Sequence, residues 1–258
     1  MSAKRLSERQ WSIMNALKTQ KSMSVEEMAR HFDVTATTIR RELTKMQQDG
    51  LVTRSRGYAH LPENQTVSPF EARFQVFATE KELVAQYALK YIRSGETIII
   101  DSGTTTYALA CKIAESDVSN LQVITNSIPT ASVLAHKCVT MVAGGTIEEN
   151  TLALIGPSTS DFFENVAVDR LFLGATGINM NAGLTIKSQM HCGIKRKMMA
   201  CANEIIALID PSKFITGGAN VFCKLQEVDR IITIHTTENE SDLRKLEKMG
   251  IKVECADI

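Results

Sequence analysis

The sequence has no net charge, because 29 Lys+Arg balance 29 Asp+Glu over 258 residues. It has no apolar run near the ~18 residues a membrane-spanning helix needs, and the polar stretch Met1 to Arg9 has no apolar segment behind it. Neither a membrane span nor a secretory leader is expected. The six cysteines, at 111, 138, 192, 201, 223 and 255, include no C-x-x-C pair and no close Cys/His quartet. They predict reduced, mostly buried thiols in a cytoplasmic protein rather than a disulfide framework or a zinc site. Neither G-x-G-x-x-G nor G-x-x-x-x-G-K-[ST] occurs, so dinucleotide and P-loop chemistry lose support. Ser102 and Ser127 lack a G-x-S-x-G setting. His31, His60, His136 and His235 stand alone in sequence, and His191 beside Cys192 offers too few ligands for a metal. No metal, cofactor or catalytic residue is expected. What remains, at 44% hydrophobic and 22% charged, is a globular chain with enough apolar residues for a real core.

The zero net charge is a sum of two unequal parts. Residues 1–62 hold 11 Lys/Arg against 6 Asp/Glu, a net +5, and the remaining 196 residues hold 18 against 23, a net −5. Such asymmetry is a cue for nucleic-acid contact by the basic part, although the charge alone decides nothing. Ser7-Glu8-Arg9-Gln10 has the form of a capping box and leads into Trp11, Ile13, Met14 and Leu17 at roughly helical spacing. Ser24-Val25-Glu26-Glu27 is a second, with Met28, Ala29 and Phe32 as its stripe. After a tight turn at Asp33-Val34, Thr35 caps a third helix on which Ile39, Leu43 and Met46 fall on one side, and which ends at Gly50. Thr37, Arg41, Thr44 and Gln48 fall near the opposite pole, with Arg40 and Lys45 on the flanks. Hydroxyls, an amide and cations on the exposed side of the last helix of such a triplet suit base edges and phosphates in a major groove. Leu51-Val52-Thr53 followed by the basic tip Arg54-Ser55-Arg56-Gly57-Tyr58 completes a winged helix-turn-helix. The residues expected nearest base edges are Thr35, Thr37, Thr38 and Arg41, while Arg40, Lys45, Arg54 and Arg56 mainly neutralise phosphates.

Pro62 to Pro69 has the composition of a linker, and the whole stretch to residue 78 shows little apolar periodicity. Thr79-Glu80-Lys81-Glu82 then predicts a capped helix carrying Leu83, Val84, Tyr87, Ala88, Tyr91 and Ile92 and ending at Gly95. The expected division is a reader domain over 1–61, a linker over 62–78 and a sensor domain over 79–258. Beyond Gly95, buried-strand runs at 97–100, 123–124, 139–143, 171–173, 205–209 and 231–234 alternate with helices, which predicts a doubly wound, mainly parallel α/β sheet. Ligands of such sheets sit beyond the carboxyl ends of the strands. Three small, hydroxyl-rich loops lie there: Asp101-Ser102-Gly103-Thr104-Thr105-Thr106, Thr125-Asn126-Ser127 and Gly144-Gly145. Gly103 admits close backbone approach, and the helix that follows offers unpaired N–H groups and its positive dipole end, so a phosphate is the anion expected.

Val34-Thr35-Ala36-Thr37-Thr38-Ile39-Arg40-Arg41-Glu42-Leu43 resembles the recognition-helix signature of the DeoR family of bacterial transcriptional regulators, usually V-S-x-x-T-I-R-R-D-L. The family's wing carries Gly-Gly-Ala where this chain has Gly57-Tyr58-Ala59. Asp101-Ser102-Gly103-Thr104-Thr105, Thr125-Asn126-Ser127, Gly144-Gly145 and Asp210-Pro211-Ser212-Lys213-Phe214 are similar to successive motifs of its sensor domain, so the resemblance spans nearly the whole chain in collinear order. It implies an isomerase- or CoA-transferase-like sensor fold and adds Lys195 and Lys213 to the effector-binding residues. Two departures stand out. The acidic residue usual just before the lysine matching Lys195 is absent from His191-Cys192-Gly193-Ile194, and Ile234-His235 replaces the usual Asp after the late Ile-Thr.

Isomerases of this fold carry an Asp-Gly-Ala-Asp-Glu run whose carboxylates move protons. The corresponding stretch here is Leu173-Gly174-Ala175-Thr176-Gly177, which keeps the glycine-alanine frame and has no acid. The resemblance therefore implies a non-enzymatic regulator, a repressor of a carbohydrate-use operon released by a phosphorylated sugar. The alternative is an isomerase-like enzyme with an appended DNA-binding module. The expected partners are double-stranded operator DNA, a phosphorylated sugar and further copies of the chain, as a dimer or tetramer, because a single winged helix covers only one half-site. No membrane contact is expected.

Overall fold

A computed structural model describes residues 8–48, 52–55, 57–60 and 69–256, which divide into two compact units at the Val76/Phe77 junction. In the first unit, helix α1 (Glu8–Gln20), strand β1 (Ser22–Ser24), α2 (Val25–His31) and α3 (Ala36–Gln48) precede a hairpin of β2 (Thr53–Ser55) and β3 (Tyr58–His60). Ile13, Leu17, Met28, Ile39, Leu43 and Met46 bury themselves against one another, so the expected stripes meet in one core. The capping box at α2 forms: Ser24 Oγ accepts from the Glu27 N–H at 3.2 Å and Glu27 Oε2 accepts from the Ser24 N–H at 2.7 Å. Asp33 turns the chain in a left-handed conformation (φ 50°), and Thr35 Oγ1 then accepts from the Thr38 N–H. Strand β1 joins β3 to make a three-stranded sheet, ordered β1-β3-β2, that the sequence did not announce. Ser7, Gly50, Leu51, Arg56 and Pro62, and the side chains of Trp11 and Gln48, lie outside the described residues.

Part of the expected linker is helical. Helix α4 (Pro69–Gln75) starts on proline, which suits the first helical position, and buries Phe70 and Ala72. The pair Phe70 and Phe74, spaced i, i+4, is the periodic signal that the proline-rich composition masked.

The second unit opens with α5 (Ala78–Ala88), which begins one residue before the expected cap. Phe77 takes the N-cap position in a left-handed conformation (φ 53°) without a side-chain hydrogen bond, so the Thr79–Glu82 capping box does not form. The Lys81 N–H is already bonded to the Phe77 carbonyl at 3.0 Å, which places Thr79 inside the helix. There follow β4 (Thr97–Ile100), α6 (Thr104–Glu115), β5 (Gln122–Thr125), α7 (Ile128–Leu134) and β6 (Val139–Val142). A hairpin of β7 (Thr146–Glu148) and β8 (Ala153–Ile155), then α8 (Pro157–Phe162), lead to β9 (Val168–Leu173), β10 (Gly177–Asn179) and β11 (Gly183–Ile186). The chain ends with α9 (Gln189–Ala200), β12 (Ala202–Leu208), β13 (Asn220–Cys223), β14 (Arg230–Thr233), α10 (Glu240–Lys248) and β15 (Val253–Cys255).

Seven strands form one sheet ordered β15-β14-β12-β9-β4-β5-β6, every neighbouring pair parallel. The central strands read Ile98-Ile99-Ile100, Val123-Ile124 and Leu171-Phe172-Leu173, all buried, as a sheet covered on both faces requires. From β4 the order runs outward to β5 and β6 and then returns to β9 on the opposite side of β4, which puts the switch in strand order between β4 and β9. A smaller antiparallel sheet, β10-β11-β13, leans on a glycine: a Cβ on Gly177 would lie 2.0 Å from the Thr216 carbonyl oxygen. Cys192 and Cys223 are buried, while the other four cysteines are half-buried, fewer buried thiols than expected. No helix among the described residues is long and apolar enough to cross a membrane.

Candidate functional site

Two regions carry the expected chemistry, and each belongs to one unit. In the first, α3 turns Thr37, Arg40, Arg41, Thr44 and Lys45 outward while Ile39, Leu43 and Met46 point in. These outward groups are not equally available. Thr35 and Thr38 are joined to each other, Oγ1 to Oγ1 at 2.9 Å, as part of the helix cap. Arg40 reaches back to Glu26 of α2 at 3.1 Å in an exposed ion pair, and such pairs are weak enough to exchange for a phosphate. Thr44 Oγ1 donates to the Arg40 carbonyl at 2.8 Å, and Arg54 from the wing donates to Thr44 Oγ1 at 3.4 Å, which ties wing to helix. The side chains of Thr37, Arg41 and Lys45 are exposed and make no hydrogen bond or ion pair among the described residues.

The second region is the crevice at the carboxyl ends of β4 and β9, the switch in strand order. Asp101 directly follows β4 and is 1% exposed. Its Oδ2 accepts from the Gly174 N–H at 2.9 Å and from Lys195 Nζ, which also donates to the Gly174 carbonyl at 2.9 Å. Lys195 comes from α9, is 2% exposed and lies 5.2 Å over the Phe222 ring. Asp101 and Lys195 thus form a buried, hydrogen-bonded ion pair that closes the floor of the crevice. The motif glycine Gly174 has room for that contact because it has no side chain: a Cβ there would sit 3.3 Å from Asp101 Oδ2.

Helix α6 starts beside this floor. Gly103 is its N-cap and supplies no side-chain acceptor, which leaves the first-turn N–H groups of a twelve-residue helix facing the crevice end of the sheet. Thr106 Oγ1 donates to the carbonyls of Asp101 (2.6 Å) and Gly103 (2.9 Å), so it builds the loop. Thr105 Oγ1 donates to Asp210 Oδ2 at 3.0 Å. Asp210 is fully buried, 3.6 Å from Lys213, and feels the charge of Lys81 as well. Burial pushes its carboxyl up, but Lys213 and Lys81, with hydrogen bonds from Ser212 and Thr105, hold it below the ordinary carboxylate range. Lys195 thus stands against Asp101, and Lys213 and Lys81 act on Asp210, both groups next to the start of α6.

The other two loops are more structural than their composition suggested. Thr125 Oγ1 donates to the Ile100 carbonyl at 2.7 Å and accepts from the Ser127 N–H at 3.0 Å. Ser127 Oγ caps α7, and the Asn126 amide donates to the Leu154 carbonyl at 3.1 Å. Gly144 and Gly145 are exposed, and Gly145 (φ +145°) is required by packing: a Cβ there would lie 2.1 Å from Thr159 Oγ1 and 2.6 Å from the Ile155 carbonyl oxygen. Four buried side-chain atoms of this unit nonetheless have no hydrogen-bond partner: Ser102 Oγ, Asn126 Oδ1, Thr130 Oγ1 and Thr233 Oγ1. Ser102, Asn126 and Thr233 sit at or just beyond the carboxyl ends of β4, β5 and β14, and Thr130 lies in the first turn of α7. Buried polar atoms without partners are uncommon in native proteins.

Two members of this end escaped the sequence reading. Lys81 is one, although its position with Val84, Ala85 and Ala88 at i+3, i+4 and i+7 marks it as a lysine on an apolar stripe. His191 is the other. It is 5% exposed, and its Nε2 lies 2.9 Å from Glu148 Oε2, so it is not isolated in the fold. Glu148 reaches it from the β7–β8 hairpin. No signal within the sequence pairs two residues forty-three positions apart.

The sequence matches the family described as "DeoR-like helix-turn-helix domain" over residues 9–65 and that described as "DeoR C terminal sensor domain" over residues 76–234, the second alone more than half of the chain. It is 30% identical to the HTH-type transcriptional repressor GlcR of Bacillus subtilis (strain 168), over 95% of each protein. It is also 30% identical to the glycerol-3-phosphate regulon repressor of Escherichia coli (strain K12), over 87% of this chain and 88% of that one. Among solved structures it is similar to the full-length sorbitol operon regulator SorC from Klebsiella pneumoniae (12% identity, TM-score 0.41, 91% of this chain and 97% of that one). It is similar too to ribose 5-phosphate isomerase A from Methanocaldococcus jannaschii (19% identity, TM-score 0.38, 53% and 54%). A winged helix-turn-helix unit, an α/β unit built on a seven-stranded parallel sheet and matches to both family descriptions in the same order lead to one conclusion: the chain belongs to the DeoR family of transcriptional regulators.

Proposed function

We propose that the chain is a cytoplasmic, homo-oligomeric repressor of a carbohydrate-use operon, released from its operator by a phosphorylated sugar. The reader domain spans residues 1–61, the linker 62–78 and the sensor 79–258. The observation that carries the effector half of this reading is the partnerless buried hydroxyl of Ser102 directly before the N-terminus of α6. A phosphate at the Ser102–Thr106 loop would receive the first-turn N–H groups of α6, the Ser102 hydroxyl and the charge of Lys213, which is 21% exposed and within reach of a ligand. Asp101, Lys195, Thr125 and Thr106 hold the frame of the same crevice, while Gly103, Thr104, Thr105, Asn126, Ser127, Gly144 and Gly145 form its rim. The relatives named as repressors, one of them of a glycerol-3-phosphate regulon, support the direction of control and a small phosphorylated effector. An enzymatic reading has no support from Leu173–Gly177, which offers no carboxylate for proton transfer.

On the DNA side, Thr37, Arg41 and Lys45 contribute first, with Thr35 and Thr38 setting the start of the helix and Arg40, Arg54 and Arg56 neutralising phosphates. Replacing Arg41 with Ala is expected to reduce discrimination between operator and random DNA by about tenfold or more, as loss of a base-reading arginine does. Equal losses on both DNAs in an anisotropy titration would remove it from base reading. The effector is tested by a thermal-shift panel of sugar phosphates and the parent sugars, repeated on the operator complex. Phosphorylated compounds should raise the melting temperature and release DNA, because only a ligand with different affinity for the two states shifts them. Stabilisation by unphosphorylated sugars alone would overturn the phosphate assignment.

A further inference from the structure

The two edges of the seven-stranded sheet are finished differently. Edge strand β15 is guarded by charge: Glu254 pairs with Arg230 and with Lys252, and the Tyr91 hydroxyl donates to it. Edge strand β6, Val139-Thr140-Met141-Val142, has no charge, proline or glycine, and among the described residues no strand pairs with its outer side. The nearest cation, Lys137, is turned away and donates to the Ser116 carbonyl. Val139 is 64% exposed, Met141 and Val142 are each 39%, and Ile147 on the next hairpin is 54%. Alternation puts Val139 and Met141 on one face and Thr140 and Val142 on the other, so neither face of this edge is closed. Soluble proteins blunt open apolar edges because these invite another strand.

We propose that β6 is covered by β6 of a second copy of this chain, the two strands running antiparallel across a two-fold axis and joining two sheets into one. The occupant follows from the edge itself. Outward N–H and C=O groups in a row are met by another strand. A two-fold axis makes any patch its own complement, and an uncharged strand meets no like-charge repulsion from its copy. The four exposed apolar side chains offer on the order of 300 Å² per copy, a fitting centre for an interface of about 800 Å² per partner with a polar rim. The inference rests on the homo-oligomer reading given above and adds the surface.

Size-exclusion chromatography with light scattering on the full chain tests it, using Val139→Lys, Met141→Glu and their mixture. Val139 is so exposed that a lysine there leaves the folded monomer intact, which far-UV circular dichroism checks. The expected result is an oligomeric parent, at least a hundredfold weaker association for each single variant, and recovery when the two oppositely charged variants are mixed. A parent that is oligomeric with both variants unchanged overturns the β6 assignment and leaves the oligomer standing on another surface. A parent that is monomeric at micromolar concentration overturns the oligomer reading, and the β6 assignment with it.

Discussion

The amino and carboxyl ends of the parallel sheet are built on opposite plans. At the amino end a chain of alternating charges crosses four strands: Glu96 to Arg170 of β9, Arg170 to Glu204 of β12, Glu204 to Arg230 of β14 and Arg230 to Glu254 of β15. Backbone groups there are met as well, the Thr97 N–H by Asp169 at 2.9 Å and the Ile205 N–H by Asp229 at 2.7 Å. At the carboxyl end the charges are buried in small knots around Asp101 and Asp210, and hydroxyl and amide oxygens are left over. The two ends of the same strands thus differ in kind: one is crossed by a continuous chain of ion pairs, while the other holds separate buried pairs and polar atoms without partners.

The largest effect is expected where a charge is deepest. Lys195→Met removes the partner of a carboxylate that is 1% exposed and leaves Asp101 with the Gly174 N–H alone. Breaking a buried pair in this one-sided way costs about 3–5 kcal/mol. Urea denaturation should show it, and a loss below about 1 kcal/mol would mean that the pair does not hold the crevice floor. At the amino end Arg230→Met deletes two ion pairs, yet its partners are 15% and 24% exposed and can turn to water. A loss of about 2 kcal/mol is expected, the size of a charged hydrogen bond or two. If Arg230→Met proved the more damaging of the two, the roles of the ends would be reversed.

The ends should also separate by pH. Glu204, Glu254 and Asp210 all titrate below their ordinary values, burial raising them and the neighbouring Arg or Lys charges and hydrogen bonds outweighing it. A carboxyl lowered in the folded state adds stability that is fully present above its unfolded value and is lost as pH falls through the folded one, so both ends weaken in acid. The amino end also has an alkaline counterpart. Burial and the Glu254 carboxylate push Tyr91 from 10.0 to about 12. Its contribution is therefore whole below pH 10 and is lost as pH rises toward about 12. Melting temperatures of the parent and Tyr91→Phe should converge over that interval, and a constant offset would show that the phenol does not titrate differently in the two states.

How much of this was legible in the sequence follows the range of each interaction. The capping box at Ser24, the Ile39-Leu43-Met46 stripe and the strand runs are local patterns, and each appeared where expected. Lys81 was legible in principle, because 81, 84, 85 and 88 share one face, yet a lysine among apolar residues is easily passed over as a solvated neighbour. The Thr79 cap was overruled because a left-handed Phe77 starts the helix earlier than the local motif. Asp101 with Lys195 and Glu148 with His191 join residues ninety-four and forty-three positions apart, and their pairing is set by strand order, not by any local pattern. The β7–β8 hairpin and the small sheet β10-β11-β13 are made of three- and four-residue strands, too short to announce a period.

The smallest effect on stability tests the contrast most directly. Ser102 Oγ is buried and has no hydrogen-bond partner, so Ser102→Ala deletes a hydroxyl that holds no other protein group in place. Removing an unsatisfied polar atom while keeping the shape around it is close to neutral, and the stability of the free protein should change by less than about 0.5 kcal/mol in either direction. The same substitution should weaken sugar-phosphate release of the operator about tenfold, because one hydrogen bond to a charged ligand is lost there. Release and stability are thus expected to part company at this residue, whereas at Arg230 stability falls and the effector response per folded molecule stays as it was. A Ser102→Ala protein that melts early but still releases DNA at the parent's effector concentration would place the hydroxyl with the framework and remove it from the proposed effector site.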